Sequence, residues 1–480
     1  MSALVETRSD LSLEALRRVA WDGDGVEIGD RAMAVMDRSH AAFQTLVEAL
    51  QAADPGALVY GVTTGPGDRG MTPLTEEALA NRPRRVWTAA SFGEALPPRV
   101  VRAIVFARLA NLVDGHAAAR GEVARAVAAL LEADHLPVVP GEGNGGAGEI
   151  LALGHLFYEL SDRLELTAKE RMALINGSPC AAAMVADVAL AGRGRLELAE
   201  QVLALSAEAL NVPLEAYSEL LEPLWGDEHE TAALRSLRSL LRGGEIGRQG
   251  HQAPVSYRIL PRVLGQARRA LAEAEAAAAV SLRSVTDNPV YTPPDEAHPL
   301  GSVFSTGGYH NARATAAIDG MAFVWADLCQ LAQRHTDKLF QHPATAGVLS
   351  EEWTYKPLHM VQAGWAAEAR LLAQPSLMGL GAFGQNDAPA MSFAAWRKAV
   401  AIGRCLDAGL AILAALASAT LQASDRPAPP ALDQLTRQVR EVFPAVTGVR
   451  RLGPDCEALA AAFTRRVFKG RIAAQGLRGG

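Results

Sequence analysis

The sequence predicts a mainly α-helical protein, with a mixed N-terminal lobe followed by a central bundle of long helices. Three observations predict it. The chain has 480 residues, 49% hydrophobic and 21% charged, enough apolar content for a large core. Aromatics are only 5%, so the apolar residues are mostly Ala, Leu and Val, a mixture that favours close-packed helices over sheets. Beyond about residue 186 apolar residues recur at helical spacing through most of the chain.

The elements follow in order. Residues 1–50 read as an irregular arm and a helix, with Met33, Met36, Phe43, Leu46, Val47 and Leu50 at near-helical spacing. Leu58-Val59-Tyr60 favours β structure and feeds the Gly/Pro-rich run Gly61–Gly67, a loop able to carry a functional side chain. Helical patterns resume at 98–132. A strand-like piece, His135 to Pro140, leads into Gly141–Gly148, which opens into a helix over Glu149–Leu160. Long helices are expected over 193–222, 262–284, 310–338, 359–373 and 393–423. Asp425-Arg426-Pro427-Ala428-Pro429-Pro430 breaks the pattern before a helical tail. The expected organisation is a lobe over 1–185, a bundle over 186–425 and a tail over 426–480.

Several function classes are disfavoured. A net charge of −7 argues against nucleic acid or an anionic membrane as partner. The basic residues are 5 Lys and 41 Arg, which leaves few candidates for a Schiff-base lysine. Cys180, Cys329, Cys405 and Cys456 are far apart, as expected in a reducing cytosol. The strongly apolar run Ala408–Leu421 is too short to span a membrane, and a cytoplasmic location is expected. The 11 histidines show no HExxH spacing, and Asp227-Glu228-His229-Glu230 reads as a solvated helix start, so no metal is expected.

Gly143-Asn144-Gly145-Gly146-Ala147-Gly148 formally matches GxGxxG. A dinucleotide site would need alternating strands and helices after it, which are missing. A tight turn requiring small residues is the plainer reading. A third fits better. Gly145 through Leu156 resembles the signature G-A-S-G-D-L-A-P-L-A-H-L of the aromatic amino acid ammonia-lyase and histidase family. Tyr60-Gly61-Val62-Thr63-Thr64-Gly65-Pro66-Gly67 is similar to its Y-G-V-N-T-G-F-G, and Ala173–Ser178 to its A-L-I-N-G-T. Gln252–Gly265 resembles Q-D-P-Y-S-L-R-C-x-P-Q-V-x-G without a gap. Val285–Pro289, Ser305–His310, Gln362–Glu368 and Gln385–Asp387 match further segments in family order.

The resemblance implies a histidase/phenylalanine ammonia-lyase-like fold and a homotetramer whose sites draw residues from several subunits. It implies roles as well: Tyr60 as catalytic base, Arg258 as carboxylate clamp, and Asn176 at the substrate's amino-acid end. A guanidinium grips a carboxylate through two parallel charged hydrogen bonds. Gln252, Glu368 and Gln385 match cavity residues for which structural hydrogen bonding is an equal reading.

The family's electrophile is missing. Its Ala-Ser-Gly triad, which cyclises and dehydrates to methylidene-imidazolone (MIO), reads Gly146-Ala147-Gly148 here. Alanine has no hydroxyl to lose from its β-carbon, so no MIO and no other cofactor is expected. Val255 stands at a family tyrosine position, Thr63 replaces the loop asparagine, and Gly308-Tyr309 replaces Asn-Phe. By the resemblance Trp87-Thr88 aligns with the pair that selects the substrate side chain, and it fits neither the Ser-His of histidases, the His-Leu of tyrosine lyases nor the Phe-Leu of phenylalanine lyases.

What remains suits general acid–base chemistry on an already activated, carboxylate-bearing small molecule, aromatic or derived from an amino acid. Elimination of a better leaving group, conjugate addition, isomerisation and carbon–carbon or ring formation all fit, in specialised metabolism by analogy. The rival reading is a catalytically dead paralogue acting as scaffold or regulatory subunit of a lyase-like tetramer, with a family paralogue as partner. The folded chain is expected to have its unmodified mass. Loss of two waters in an intact-mass spectrum would overturn the MIO-free reading.

Overall fold

The computed structural model describes residues 2–132, 135–244, 247–248, 250–349, 354–379, 381 and 384–473. Part of the expected tail, 474–480, lies outside the described residues. Two short strands, β1 (Ser2–Val5) and β2 (Gly25–Ile28), pair in parallel at the N-terminus. The principal helices of the lobe are α1 (Asp30–Ala53), α2 (Pro98–Leu112), α3 (Gly121–Ala129), α4 (Ile150–Phe157) and α5 (Ala168–Ile175). Next come α6 (Pro179–Ala209), α7 (Glu228–Leu241), the single turn α8 (Val255–Arg258) and α9 (Leu260–Ser281). An antiparallel hairpin, β3 (Val290–Thr292) with β4 (Ser302–Phe304), precedes α10 (Ala312–Gln341), α11 (Leu358–Leu372) and α12 (Ser392–Ala423). Helices α13 (Asp433–Val442) and α14 (Gly453–Val467) follow.

The sequence expectations hold for the helical class and for α10, α11 and α12, and fail at four places. The helix expected over 193–222 is α6, which begins at Pro179 and ends at Ala209. Proline suits a first helical turn because its missing N–H has no helical partner there. At the other end Asn211 takes φ 53° and turns the chain. The 98–132 pattern divides into α2 and α3, separated by a turn with Ala118 at φ 49°. Leu58–Tyr60 forms a turn rather than a strand. His135–Pro140 contributes only an isolated bridge between Ala95 and Pro140.

Helices α6, α9, α10 and α12 pack on one another as the bundle, with α2 and α14 against α6 and α11 against α12. Small residues allow the close crossings: a Cβ on Gly192 of α6 would lie 2.7 Å from Met321 of α10. Ala168–Ala209 and Ser392–Ala423 are apolar enough to cross a membrane, but their most apolar windows are 100% and 83% buried. Their apolarity belongs to the core.

A buried ion pair ties four of these helices. Arg195 of α6 donates to both carboxylate oxygens of Asp407 on α12, at 2.9 and 3.0 Å. Thr464 of α14 adds a third donor at 3.0 Å, and Trp325 of α10 lies 4.7 Å under the guanidinium. Gly403 leaves room for it, since a Cβ there would fall 2.5 Å from Arg195 Cζ. Removing one partner strands a charge, whereas replacing both with apolar groups does not. Asp407→Ala is therefore expected to cost about 3–5 kcal/mol in urea unfolding, and Arg195→Met with Asp407→Leu much less. Equal losses would refute the argument.

Candidate active site

Tyr60 sits at a tight, internally bonded turn. The Val59 carbonyl accepts from the backbone N–H of Val62 and Thr63. The Thr63 hydroxyl accepts from Val59 N at 2.7 Å and donates to the Ala57 carbonyl at 2.6 Å. Thr63, noted above as a departure, is thus the residue that ties the loop. Gly61 has φ 65°, and a Cβ there would lie 2.7 Å from Met172. A Cβ on Gly70 would lie 2.9 Å from the Tyr60 ring, so the ring fits only against glycine. The Tyr60 hydroxyl oxygen accepts from Gly67 N–H at 2.8 Å. Burial, with a further push from Tyr309, raises the phenol above its ordinary value, against that N–H. At rest Tyr60 is a protonated phenol.

The glycine loop faces it. Gly143, Gly146 and Gly148 have φ of 65°, 88° and 68°, which L side chains disfavour. Gly146 carbonyl accepts from Ala390 N at 2.9 Å. Tyr309 lies over Gly148, where a Cβ would meet its ring at 3.4 Å. Its loop is anchored by Asn288, whose side-chain oxygen accepts from Thr306 N at 2.9 Å and Ser305 Oγ at 3.1 Å.

The third wall is the corner between α5 and α6. Asn176 caps α5 and donates from Nδ2 to the Met172 carbonyl at 3.1 Å. Arg108 of α2, fully buried, donates from Nη1 to the carbonyls of Ala173 and Asn176. Its Nε and Nη2 make no hydrogen bond, nor does the buried Ser178 Oγ. Glu149, at the start of α4, reaches the N-terminus of α6, accepting from Cys180 N at 2.5 Å and Ala181 N at 2.7 Å. Burial pushes its carboxyl up to about 7, against those N–H groups, the Cys180 thiol and Arg108.

These walls enclose a cavity of about 230 Å³ lined by Tyr60, Trp87, Thr88, Ala147, Gly148, Asn176 and Tyr309 from the sequence-predicted set. Glu149, Met172, Asn288 and Asn386 line it too. Sequence reasoning missed Glu149, because a lone glutamate at a helix start looks like an exposed terminal charge. Gln385 is adjacent, its amide oxygen 3.9 Å from the position of a Gly70 Cβ. Position 147 presents a methyl group with no leaving oxygen, so the residues here do not fit a methylidene-imidazolone.

Gln252, Val255, Arg258 and Glu368 do not line this cavity. Gln252, Val255 and Glu368 are exposed. Arg258 is half-buried with its Nε unpaired, at the end of α8. The backbone beneath it is fixed. Tyr217 donates to the Tyr257 carbonyl at 2.8 Å, and His335 Nε2 meets the Ser256 carbonyl at 3.1 Å. His335 stacks on Tyr257 at 3.7 Å, and burial lowers it to about 4. It is therefore neutral, with the proton on Nε2. A larger cavity of about 1360 Å³, beside Arg99, Asp187 and Trp396, holds none of the predicted residues.

A family model described as aromatic amino acid lyase matches residues 11–161 and 159–444. A histidine ammonia-lyase of Deinococcus radiodurans is 31% identical over 371 residues, covering 71% of this chain and 68% of that protein. One of Symbiobacterium thermophilum is 29% identical over 445 residues, covering 84% and 86%. The ergothioneine-degrading enzyme ergothionase of Treponema denticola superposes with a TM-score of 0.86 at 19% identity, covering 98% of this chain and 100% of that one. At that identity the shared property is the fold.

Glu149 gives the fold a pH signature. Its folded value lies above the ordinary 4.5. Its contribution to stability is therefore complete below 4.5 and lost as pH rises through about 7. Glu149→Gln cannot titrate, so the melting temperature of the wild type is expected to fall relative to it across that window. The change is on the order of 3 kcal/mol. His335 acts in both proteins and cancels in the difference. A constant gap would overturn the assignment.

Proposed function

The chain belongs to the aromatic amino acid lyase family, and from that premise we propose an enzyme that runs acid–base chemistry in the Tyr60 cavity without MIO. The observation that carries this reading is the company Tyr60 keeps: Asn176 beside it and the bare methyl of Ala147 in the same cavity. Ammonia leaves badly from an unactivated amino acid, and no described residue on the cavity wall supplies an electrophile to assist it. A substrate that brings its own leaving group removes that need. A fully alkylated ammonium departs as a neutral amine, and the positive nitrogen also acidifies neighbouring C–H bonds. The Treponema denticola neighbour, an ergothioneine-degrading enzyme, favours this class by analogy of fold. The other acid–base reactions named above remain within the same reading.

Arg258 completes the site from a neighbouring subunit in this proposal. Its unpaired Nε and rigid base suit a carboxylate clamp, and it stands outside the cavity of its own chain. Apolar side chains left exposed on the long helices, such as Phe323 at 56% and Leu371 at 71%, suit a homotetramer.

Turnover is tested with histidine, phenylalanine, tyrosine and their N-trimethyl betaines, read by absorbance of the conjugated product. The betaines are expected to react and the free amino acids not. Tyr60→Phe and Arg258→Ala are each expected to lose about 10²-fold or more in kcat/KM. Mixed tetramers of the two variants regain part of the activity, because one shared site can then hold both native residues. Ammonia release from a free amino acid, or full activity in both variants, would sink the proposal. No turnover with any panel member and co-purification with a MIO-bearing relative would support the scaffold alternative.

A further inference from the structure

Tyr60 as a resting phenol poses a problem for a base. A group that removes a β-proton must first lose its own, and the phenol is pushed up, not down. The cavity wall holds one carboxyl among the described residues, Glu149. It is 3% exposed, and each of its oxygens holds one N–H of α6. Arg108 behind it keeps two unshared donors. Among the described residues, Arg108 from α2 and Cys180 from α6 act on the carboxyl, and Tyr60 and Tyr309 line the same cavity. Behind Arg108, Asp287 is neutralised by Lys169 of α5 at 2.6 Å. Burial holds Cys180 well above its ordinary value, so it stays a thiol.

We propose that Glu149 is a second acid–base residue of this cavity, taking up the proton that Tyr60 sheds and returning it to solvent after turnover. The inference rests on the acid–base reading above. In an elimination the Tyr60 O–H bond breaks and its proton passes through the cavity to a Glu149 oxygen. The phenolate then takes the substrate's β-proton. The C–H electron pair becomes the new double bond, and the leaving group departs with the pair of its own bond. Tyr60 ends as it began, Glu149 carries one proton, and no oxidant or reductant is needed. Two features suit Glu149 to this relay. Its N–H partners stabilise the carboxylate once formed, and its burial keeps the acid form accessible near neutrality.

Two measurements test it, one of which needs no substrate. Infrared difference spectra between about pH 5 and about pH 9 are expected to show a buried carboxylic acid C=O band that disappears near neutrality. The band persists in Tyr60→Phe and is absent from Glu149→Gln. In turnover of whichever betaine reacts, Glu149→Gln is expected to lower kcat about 10²-fold or more and to erase the acid limb of the pH–rate profile. A band missing from the wild type overturns the proposal. So does a Glu149→Gln profile with the wild-type limb, which would leave Glu149 as a helix cap only. A titrating band with no turnover on any substrate supports the proton-holding group and counts against the enzyme reading instead. Should Glu149→Gln fail to fold, Cys180→Ala removes a hydrogen-bond partner of the carboxyl and must shift the band. An unshifted band overturns the assignment.

Discussion

The site depends on a buried arginine. Arg108 is 0% exposed, and burial lowers its affinity for its proton, yet a guanidinium stays charged. A cation in such a place must be met by fixed dipoles or anions. Arg108 meets the carbonyls of Ala173 and Asn176, the last turn of α5 and its cap. Those contacts decide where α5 stops, which way Asn176 projects, and where the Gly177 turn places the start of α6. A Cβ on Gly177 would lie 3.1 Å from Arg108 Nη2 and 2.7 Å from Asn111, so the turn is moulded against the cation. The start of α6 in turn receives Glu149. One charge thus fixes the cavity's amide, its carboxyl and the wall between them.

Around that fixed corner the other walls are loops. The Tyr60 turn is held by its own threonines, and the Tyr309 segment by Asn288 at the base of a two-stranded hairpin. Loops braced on a helical frame are where a family can change chemistry without changing fold. Here the frame residues Arg108, Asn176 and Asn288 stand beside an altered set, Ala147, Trp87, Thr88 and Tyr309. The contrast is physical. Frame residues satisfy buried backbone, so replacing them would expose unpaired groups. The altered residues line the cavity, and of these Thr88 also donates its hydroxyl to the Ile150 carbonyl while Tyr309 packs over Gly148.

The sequence made the helical class plain because long Ala- and Leu-rich stretches can do little else. It misplaced α6 because that helix is buried nearly all round, and a helix without a polar face shows no amphipathic edge to mark its start. Leu58–Tyr60 looked like a strand by propensity, but among the described residues no partner strand lies beside it, and β propensity needs one. Motif resemblance located Tyr60, Asn176 and Tyr309, which the fold brings to one cavity. Glu149 was hidden because its character comes from Cys180, Ala181 and Arg108, which are distant in sequence. Arg258 could be named but not placed, since nothing within one chain carries it to the Tyr60 cavity.

In the proposed reading, an alanine at residue 147 also changes what the remaining groups must do. An electrophile acts by drawing electrons from the substrate. Without one, the driving force must come from proton transfers and from the substrate's own leaving group. Proton transfer is efficient when donor and acceptor values are close to each other and to the working pH. A phenol raised by burial satisfies neither condition alone. A carboxyl lifted to about 7 on the same wall narrows the gap from the other side. Burial, which makes the Tyr60 phenol harder to ionise, also lifts the Glu149 carboxyl towards it. In the proposed reading, acid–base chemistry in this cavity needs both groups, and that couples the fate of Tyr60 to the helix terminus that Arg108 holds in place.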